Sequence, residues 1–288
     1  MQEIVDYFAS LPPHYRTLIL IVGLVVFWVA EGAVPLFPIR YARVRHAGLN
    51  ILLTFFQLIV SLFFAAATLK ATEFTTANRF GLLYLVDLPL WLHVVLGVAL
   101  MDLIGGYCIH RIEHTVRWMW VFHVIHHSDE NIDVTSGLRH HPVETVFRLL
   151  SQTFAILVCG IPLGVVFLYG LISLFFAQLT HANISPPVAL DRLFSWIFVS
   201  PNMHKVHHHR TKPLTNTNYG NVLSIWDRMF GTFAEVDATT LQYGLDSMPH
   251  LDDHLKLSRL LVMPFQRNET SAPEGSKPSA AGEAAAEK

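Results

Sequence analysis

Long apolar segments separated by short polar ones dominate the first two thirds of the chain. Residues 18–34 are apolar apart from Glu31, residues 51–69 carry no charge, and residues 88–107 carry only Asp102. A helix rises about 1.5 Å per residue, so about 20 such residues cross a hydrocarbon core of about 30 Å. We predict a membrane-spanning helix in each segment.

A fourth, largely apolar segment, residues 147–178, is too long for one span. As a single helix its 32 residues would extend about 48 Å, but Gly160, Pro162 and Gly164 interrupt it. A proline flanked by glycines breaks a helix, so we predict a hairpin that returns the chain to the side it left. The predicted fold is all-α, an integral membrane protein with about three to five transmembrane or re-entrant helices and a cytoplasmic histidine-rich helical cap.

Composition agrees with this fold class. Of the 288 residues, 52% are hydrophobic and 15% are charged, and the mean hydropathy is +0.40, which is typical of a membrane protein. A net charge of −2 gives no electrostatic footprint for nucleic acid. With only Cys108 and Cys159 present, any metal site must use nitrogen and oxygen ligands.

Basic residues near the predicted spans indicate their orientation. The loop between the second and third spans contains only two basic residues, Lys70 and Arg79. The loops on the other side are richer in arginine: Arg40, Arg43, Arg45, Arg111, Arg117, Arg139 and Arg148. The positive-inside rule therefore predicts a cytoplasmic position for the histidine-rich regions and an external N-terminus.

Three histidine clusters stand at helical spacing. They are His110 and His114, then His123, His126 and His127, and then His204, His207 and His208. Positions i, i+3 and i+4 share one face of a helix, so each cluster presents its imidazoles together. Eight ring ligands exceed the four that one zinc ion takes and suit about two ions, while imidazole binds iron, copper, nickel and zinc alike.

Other histidines divide into candidates and ordinary side chains. We predict His181, directly after the hairpin, and His141, directly before a proline, as further metal ligands. His140 is left undecided, and His209 turns away from the face of its cluster. We interpret the isolated histidines as hydrogen-bonded or exposed: His14, His46, His93, His250 and His254. Acidic residues that could accept from the ligands' second ring nitrogens are Asp102, Glu113, Asp129 and Glu144.

Several motifs in order resemble one family. The motifs are residues 126–129 (HHSD), 135–144 (TSGLRHHPVE), 181–183 (HAN), 201–208 (PNMHKVHH) and 221–232 (NVLSIWDRMFGT). Together with the three histidine clusters they resemble the fatty acid hydroxylase and sterol desaturase superfamily, in its bacterial sterol-desaturase-like branch. The resemblance covers about residues 90–235.

The resemblance implies an enzyme that uses O₂ at a non-haem di-iron centre to hydroxylate, or desaturate, a C–H bond of a membrane lipid. If the roles of the family's motif residues apply to the matching positions here, the eight clustered histidines would be the catalytic metal ligands and His181 would complete the set. The sequence contains no flavin, haem or iron–sulfur signature. An external electron donor is therefore expected, whether a reductase, a ferredoxin or a cytochrome. The implied location is the bacterial inner membrane.

The predicted domains are a transmembrane region (1–87), a catalytic domain (88–235), a cytoplasmic extension (236–266) and a disordered tail (267–288). The tail is rich in Ala, Glu, Ser and Pro and carries no predicted function. We also predict that residues 188–200 lie along the membrane interface. The alternative function is a histidine-rich metal transporter or sensor, which would need ionisable residues along its spans.

Overall fold

The computed structural model describes residues 2–245 and 255–265, and within these ranges it contains helices, two isolated β-bridges and no strand. Four helical segments are long and apolar enough to cross a membrane: Arg43–Tyr84, Leu90–Thr115, Pro142–Cys159 and Leu163–His181. The predicted all-α class and the predicted number of spans are confirmed.

The helices in chain order are α1 (Gln2–Ser10), α2 (Pro13–Ala33), α3 (Arg43–Ala77), α4 (Leu90–Asp102), α5 (Ile109–Thr115), α6 (Arg117–His127), α7 (Pro142–Cys159), α8 (Leu163–His181), α9 (Val188–Phe194), α10 (Pro201–His207), α11 (Ile225–Met229) and α12 (Leu257–Val262).

Helix α2 coincides with the first predicted span but is not one of these four. Its apolar part, Thr17–Ala33, is shorter than theirs. Glu31, which interrupts the apolar pattern, is fully buried and accepts hydrogen bonds from the backbone N–H of Val134 at 2.7 Å and of Asn183 at 2.8 Å. It also pairs with Arg43. The carboxylate of Glu31 therefore attaches the end of α2 to the two loops that contain Val134 and Asn183, beside the histidines.

Helix α3 is longer than the predicted span. Its 35 residues extend about 52 Å, well beyond a hydrocarbon core of about 30 Å. His46 and Asn50 in its first two turns are buried against the loop that follows α6. Leu62 and Phe63, near its middle, are 75% and 80% exposed, as a lipid-facing surface requires. One end of α3 thus belongs to the cap and the rest to the membrane.

The predicted hairpin is confirmed. Helix α7 ends at Cys159, Gly160 has a left-handed φ of 77°, and Pro162 directly precedes α8. A β carbon on Gly160 would lie 2.6 Å from the carbonyl oxygen of Phe80, so glycine allows the α3–α4 connection to approach this turn. Both connections lie at one end of the bundle, and the histidine-bearing ends of α5 and α8 therefore meet at the other.

The main apolar core lies among α4, α7 and α8. Met101, Ala155, Ile156 and Val165 are at most 1% exposed there. Burial of such side chains contributes roughly 1.5–3 kcal/mol each for the larger ones. This core fixes the relative positions of the helices that carry the histidines.

Residues 255–265 pack onto the cap. Leu260 and Met263 contact the cluster formed by Leu53 of α3 and Ile125 of α6. The predicted domain boundaries stay a prediction, and the predicted disordered tail, 267–288, lies outside the described residues, as do His250 and His254.

Candidate metal centre

Nine of the ten predicted metal ligands converge at the end of the bundle where α5 and α8 finish, and all nine are buried. They form two groups, within each of which the ligand atoms lie within 4.8 Å of one another. The first group contains His110, His114, His123, His127 and His207, and the second contains His126, His181, His204 and His208.

Helix geometry explains how the motifs are divided. In α6, His123 and His127 are four residues apart and both join the first group, while His126 joins the second. At the end of α10 the division is reversed: His204 and His208 join the second group and His207 joins the first. Each HxxHH motif therefore contributes to both groups, which brings the two groups side by side.

A π-helical segment, Leu103–Cys108, leads directly into α5. Such a segment changes the rotational register of the helix that follows it, here the helix that presents His110. Just before it, the fully buried Asp102 accepts hydrogen bonds from the backbone N–H of Val222 and Leu223 and from the indole of Trp226, at 2.9–3.1 Å. Asp102 thus holds the loop before α11 against the membrane helices.

In the first group, four rings use Nδ1 to contact an acceptor and leave Nε2 unpartnered. The acceptors are the carbonyl oxygen of Tyr219 for His110 (2.9 Å), the carbonyl oxygen of Thr217 for His207 (2.7 Å), Oδ1 of Asn216 for His114 (3.3 Å) and Oε1 of Glu144 for His123 (2.9 Å). A ring that donates through Nδ1 keeps its lone pair on Nε2. The four buried Nε2 atoms have no hydrogen-bond partner, so each is free to bind a metal.

In the second group the Nε2 atoms approach one another. Nε2 of His181 lies 3.1 Å from Nε2 of His126 and of His204, and 3.2 Å from Nε2 of His208. Two nitrogen ligands on one ion with bonds of about 2.1 Å lie roughly 3.0–3.4 Å apart. Because Nδ1 of His181 donates to the carbonyl oxygen of Ala177 at 2.7 Å, its Nε2 offers a lone pair. The spacing and the lone pair fit a shared cation.

His127 lies between the two groups. Its ring stacks on His208 with centroids 4.7 Å apart and lies edge-on to His207 at 4.6 Å. Neither of its ring nitrogens has a hydrogen-bond partner, although both are buried. A buried polar atom without a partner is costly, and metal ligation would satisfy one of them. The donor set therefore fits a metal centre with two ions.

Burial keeps the imidazoles outside the membrane helices neutral. It lowers the pKa of His123 to about 4 and that of His207 to about 3. Burial, aided by the neighbouring imidazoles, also lowers the pKa well below the ordinary value for His126, His127, His204 and His208. A neutral ring is the form that binds a metal, so these side chains are ready to do so at neutral pH.

The structure places His141, a predicted ligand, outside both groups. Its Nδ1 accepts the backbone N–H of Val143 at 3.1 Å and caps α7, and its Nε2 lies 3.3 Å from the carbonyl oxygen of Leu261. With both ring nitrogens engaged, no lone pair is left for a metal. We correct His141 to a helix-capping residue and leave it out of the proposed ligand set.

Glu144 is the acidic residue most closely linked to the centre. Besides His123, it contacts Nδ1 of His140 at 2.8 Å and Nε of Arg148 at 2.9 Å. Glu113, which binds Arg148 at 2.7 Å, lies 3.7 Å from Nδ1 of His123. These carboxylates balance charge on one side of the first group and orient His123.

Asp129, another predicted acceptor, pairs instead with a histidine that the sequence left isolated. Nε2 of His46 lies 2.9 Å from Asp129, and Nδ1 of His46 lies 3.0 Å from Asp133. Burial raises the pKa of Asp129, but the contacts with His46 and Arg139 outweigh it and lower that pKa below its ordinary range. These contacts fasten α3 to the loop that follows the first HxxHH motif.

Arg139 extends this attachment to α6. Its side chain is 1% exposed and donates to the carbonyl oxygen of Ile125 at 3.1 Å, to Ser128 at 3.1 Å and to Asn50 at 3.2 Å. Sequence spacing gave no signal for this network because its members are far apart in the chain. It holds the end of α6, and with it His126 and His127, in place.

Comparisons with known proteins match the histidine-bearing region. The fatty acid hydroxylase family model matches residues 94–232. An ornithine lipid hydroxylase from Rhizobium tropici is 35% identical over 146 residues, which cover 50% of this chain and 43% of the relative. The alkylglycerol monooxygenase of Homo sapiens is 29% identical over 252 residues, covering 85% of this chain and 52% of the relative. That of Xenopus tropicalis is 33% identical over 170 residues, covering 56% and 35%.

The chain therefore spans about half or less of the length of these relatives. No solved structure matches it. The names of the relatives describe lipid hydroxylases and monooxygenases, and the alternative of a metal transporter or sensor finds no support in them.

Proposed function

We propose that this protein is a membrane enzyme that hydroxylates a C–H bond of a membrane lipid with O₂ as co-substrate, and the match of residues 94–232 to the fatty acid hydroxylase family model supports this proposal. The observation that carries the proposal is the convergence of nine buried histidines in two adjoining groups. An apolar substrate suits this position because the groups lie where the membrane helices α5 and α8 end.

The proposed cofactor is a pair of iron ions, one for each histidine group. Imidazole nitrogen is a suitable ligand for iron, and the unpartnered Nε2 atoms of the first group supply lone pairs for it. Bound there, the iron pair would supply the reduction of O₂ and the attack on the C–H bond. We assign the same nine histidines as both metal-binding and catalytic residues.

The protein's own contribution is to hold the rings and to exclude water. Acceptors on Nδ1, such as the carbonyl oxygens of Tyr219 and Thr217, fix the tautomer and the orientation of the rings. Burial removes competing water from the centre. One oxygen atom would enter the lipid hydroxyl group and the other would leave as water, which takes up two protons and consumes a pair of electrons. A separate reductase, ferredoxin or cytochrome is proposed to deliver them.

We further propose that the protein lies in the bacterial inner membrane with the histidine centre on the cytoplasmic side. Arg40, Arg43 and Arg45 support this orientation because they precede or begin α3 at the end of the bundle that carries the centre. A cytoplasmic centre is also accessible to a soluble electron donor. The bacterial relative from Rhizobium tropici supports the bacterial setting.

The substrate class is proposed to be a lipid with a polar headgroup. This draws on the relatives named for ornithine lipid and alkylglycerol. Lipid extracts of a host that expresses the protein should contain a lipid heavier by one oxygen atom, absent from the host that expresses His204→Ala. A lipid lighter by two hydrogen atoms would instead indicate desaturation. Identical extracts, with both proteins present in the membrane, would reject the proposal.

A further inference from the structure

An apolar groove lies between the end of α8 and helix α9. It has a volume of about 450 Å³, within the range of pockets that hold small ligands. Its lining is almost entirely apolar and includes Leu179, Ile184, Pro187, Leu190, Leu193 and Phe194. Such a lining selects a hydrocarbon ligand.

The helix beside the groove exposes large apolar side chains although it lies outside the four spans. Val188, Leu190 and Leu193 are 62–69% exposed, and Trp196 and Ile197, just beyond the helix, are 59% and 55% exposed. A contiguous exposed apolar patch marks a contact with a partner or a membrane, and tryptophan is common at the membrane interface. Helix α8, which is long and apolar enough to span the membrane, ends at His181, shortly before this patch begins at Val188, so the bilayer is the surface that fits this patch best.

The groove also adjoins the metal centre along the chain. Leu179 lies two residues before His181, and Pro201, which lines the groove, begins the helix that carries His204. Both histidines belong to the second group. A hydrocarbon chain that enters from the bilayer would therefore lie beside the elements that present these two ligands.

A second cavity, of about 500 Å³ and with a mixed polar and apolar lining, lies beside the groove and shares Pro186 and Asp191 with it. Its lining includes Asp191, Asn202, Glu235 and Asp237. Asp191 is 9% exposed and accepts from Ser200, whereas Oδ1 of Asn202 is buried without a hydrogen-bond partner. These oxygens accept hydrogen bonds and attract positive charge.

Arg192, the cation in the lining of this cavity, does not cancel the preference of these oxygens for positive charge. Nε of Arg192 lies 2.8 Å from Oε1 of Glu235, so these two charges offset each other and leave the carboxylates of Asp191 and Asp237 in the lining. Even when the buried ammonium of Lys205, which interacts with Asp191, is counted, the carboxylates of the lining outnumber the neighbouring cations. The cavity is therefore suited to a headgroup that donates hydrogen bonds and carries an amine.

We infer that the groove and the cavity together bind one amine-bearing membrane lipid, with a hydrocarbon chain in the groove and the headgroup in the cavity. That this lipid is the substrate rests on the proposed function, whereas its binding does not. The groove would admit the chain sideways from the bilayer, and the cavity would fix how far the chain can slide past the centre. The site would thus select both the lipid and the position of attack.

The test uses the full chain in detergent and a phosphatidylethanolamine with a photoreactive diazirine on one acyl chain. We expect labelling to saturate at one lipid per chain and to map to residues 184–194. Phosphatidylglycerol with the same acyl chain, which lacks the amine and carries a net negative charge, should label severalfold less. Labelling that never saturates and spreads evenly over the exposed helices would overturn the inference, and equal labelling by the two lipids would overturn the amine preference.

Variants locate the site and separate it from activity. Leu193→Trp, and independently Leu190→Trp, should fill the groove and abolish the labelling, whereas Ile197→Trp, at an exposed position that does not line the groove, should preserve it. His204→Ala should lose hydroxylation but keep the labelling. Retained labelling in both groove variants, with unchanged elution on size exclusion, would contradict the groove. Labelling without any hydroxylation by the native protein would contradict the proposed function alone.

Discussion

At the scale of single residues, the centre depends on what each imidazole does with its second nitrogen. In the first group two of the four Nδ1 partners are backbone carbonyls, those of Tyr219 and Thr217. The backbone N–H groups of Tyr219 and Gly220 in turn bind the carboxylate of Asp227 at 2.7 Å and 2.8 Å. The loop that orients the rings is thereby itself held in place.

Replacement of one ligand should remove metal without unfolding the protein. His204→Ala deletes one of four converging rings in the second group, so we expect iron content to fall from about two ions per chain towards one and activity to be lost. Metal analysis of protein purified without chelator checks this. His14→Ala, at an exposed position, should keep the native metal content. Full metal content in His204→Ala would contradict the ligand assignment.

Acid should destabilise the metal-free protein through the same rings. The pKa of His123 is about 4 and that of His207 about 3 in the folded chain, against about 6.5 when unfolded. The unfolded chain therefore binds more protons between these values, and the free energy of unfolding should fall as the pH drops from about 6.5 to about 4. Thermal unfolding in mild detergent checks this. A midpoint independent of pH across this range would contradict the buried, neutral assignment.

At the scale of helices and connections, the sequence predicted the features that depend on residues close together in the chain. Helical spacing grouped the histidines of α5, α6 and α10, and the glycines around Pro162 predicted the turn between α7 and α8. The sequence could not predict that His46 contacts Asp129, because the two residues are 83 positions apart. For His141, the position directly before a proline predicted a ligand, but the start of α7 uses its Nδ1 as a cap.

The hairpin turn should tolerate no side chain. Gly160→Ala places a β carbon 2.6 Å from the carbonyl oxygen of Phe80 at a φ of 77°, so we expect a loss of about 1–3 kcal/mol of stability. Gly170→Ala is the matched control because nothing lies within 4 Å of its β carbon and alanine favours a helix interior. Chemical denaturation in detergent compares the two. Equal stability of both variants would show that the turn is not constrained as described.

At the scale of the whole molecule, the number of passes decides whether one centre can form. Four spanning segments bring the start of α3 and the end of α8 to the same end of the bundle, and the contacts of Glu31 with Val134 and Asn183 join the loops there. The fold thus assembles a metal centre from sequence segments separated by nearly a hundred residues.

This arrangement predicts the sidedness of exposed positions. In a background without native cysteines, Arg45→Cys and Lys212→Cys should react with an impermeant reagent from the same side of the membrane, and Asn78→Cys from the opposite side. All three positions are exposed, whereas Ser128, beside the first HxxHH motif, is buried and unsuitable. Opposite labelling of positions 45 and 212 would separate the two halves of the centre.

The proposed reaction itself is tested most directly with labelled oxygen. Membranes containing the protein, supplied with an electron donor and an amine-bearing lipid, would be incubated under ¹⁸O₂ and the lipids analysed by mass spectrometry. We predict one ¹⁸O atom in a new lipid hydroxyl group, formed by the native protein and absent with His204→Ala. A hydroxyl whose oxygen comes from water, an unlabelled double bond, or no change in any lipid while the metal centre is fully loaded would contradict it.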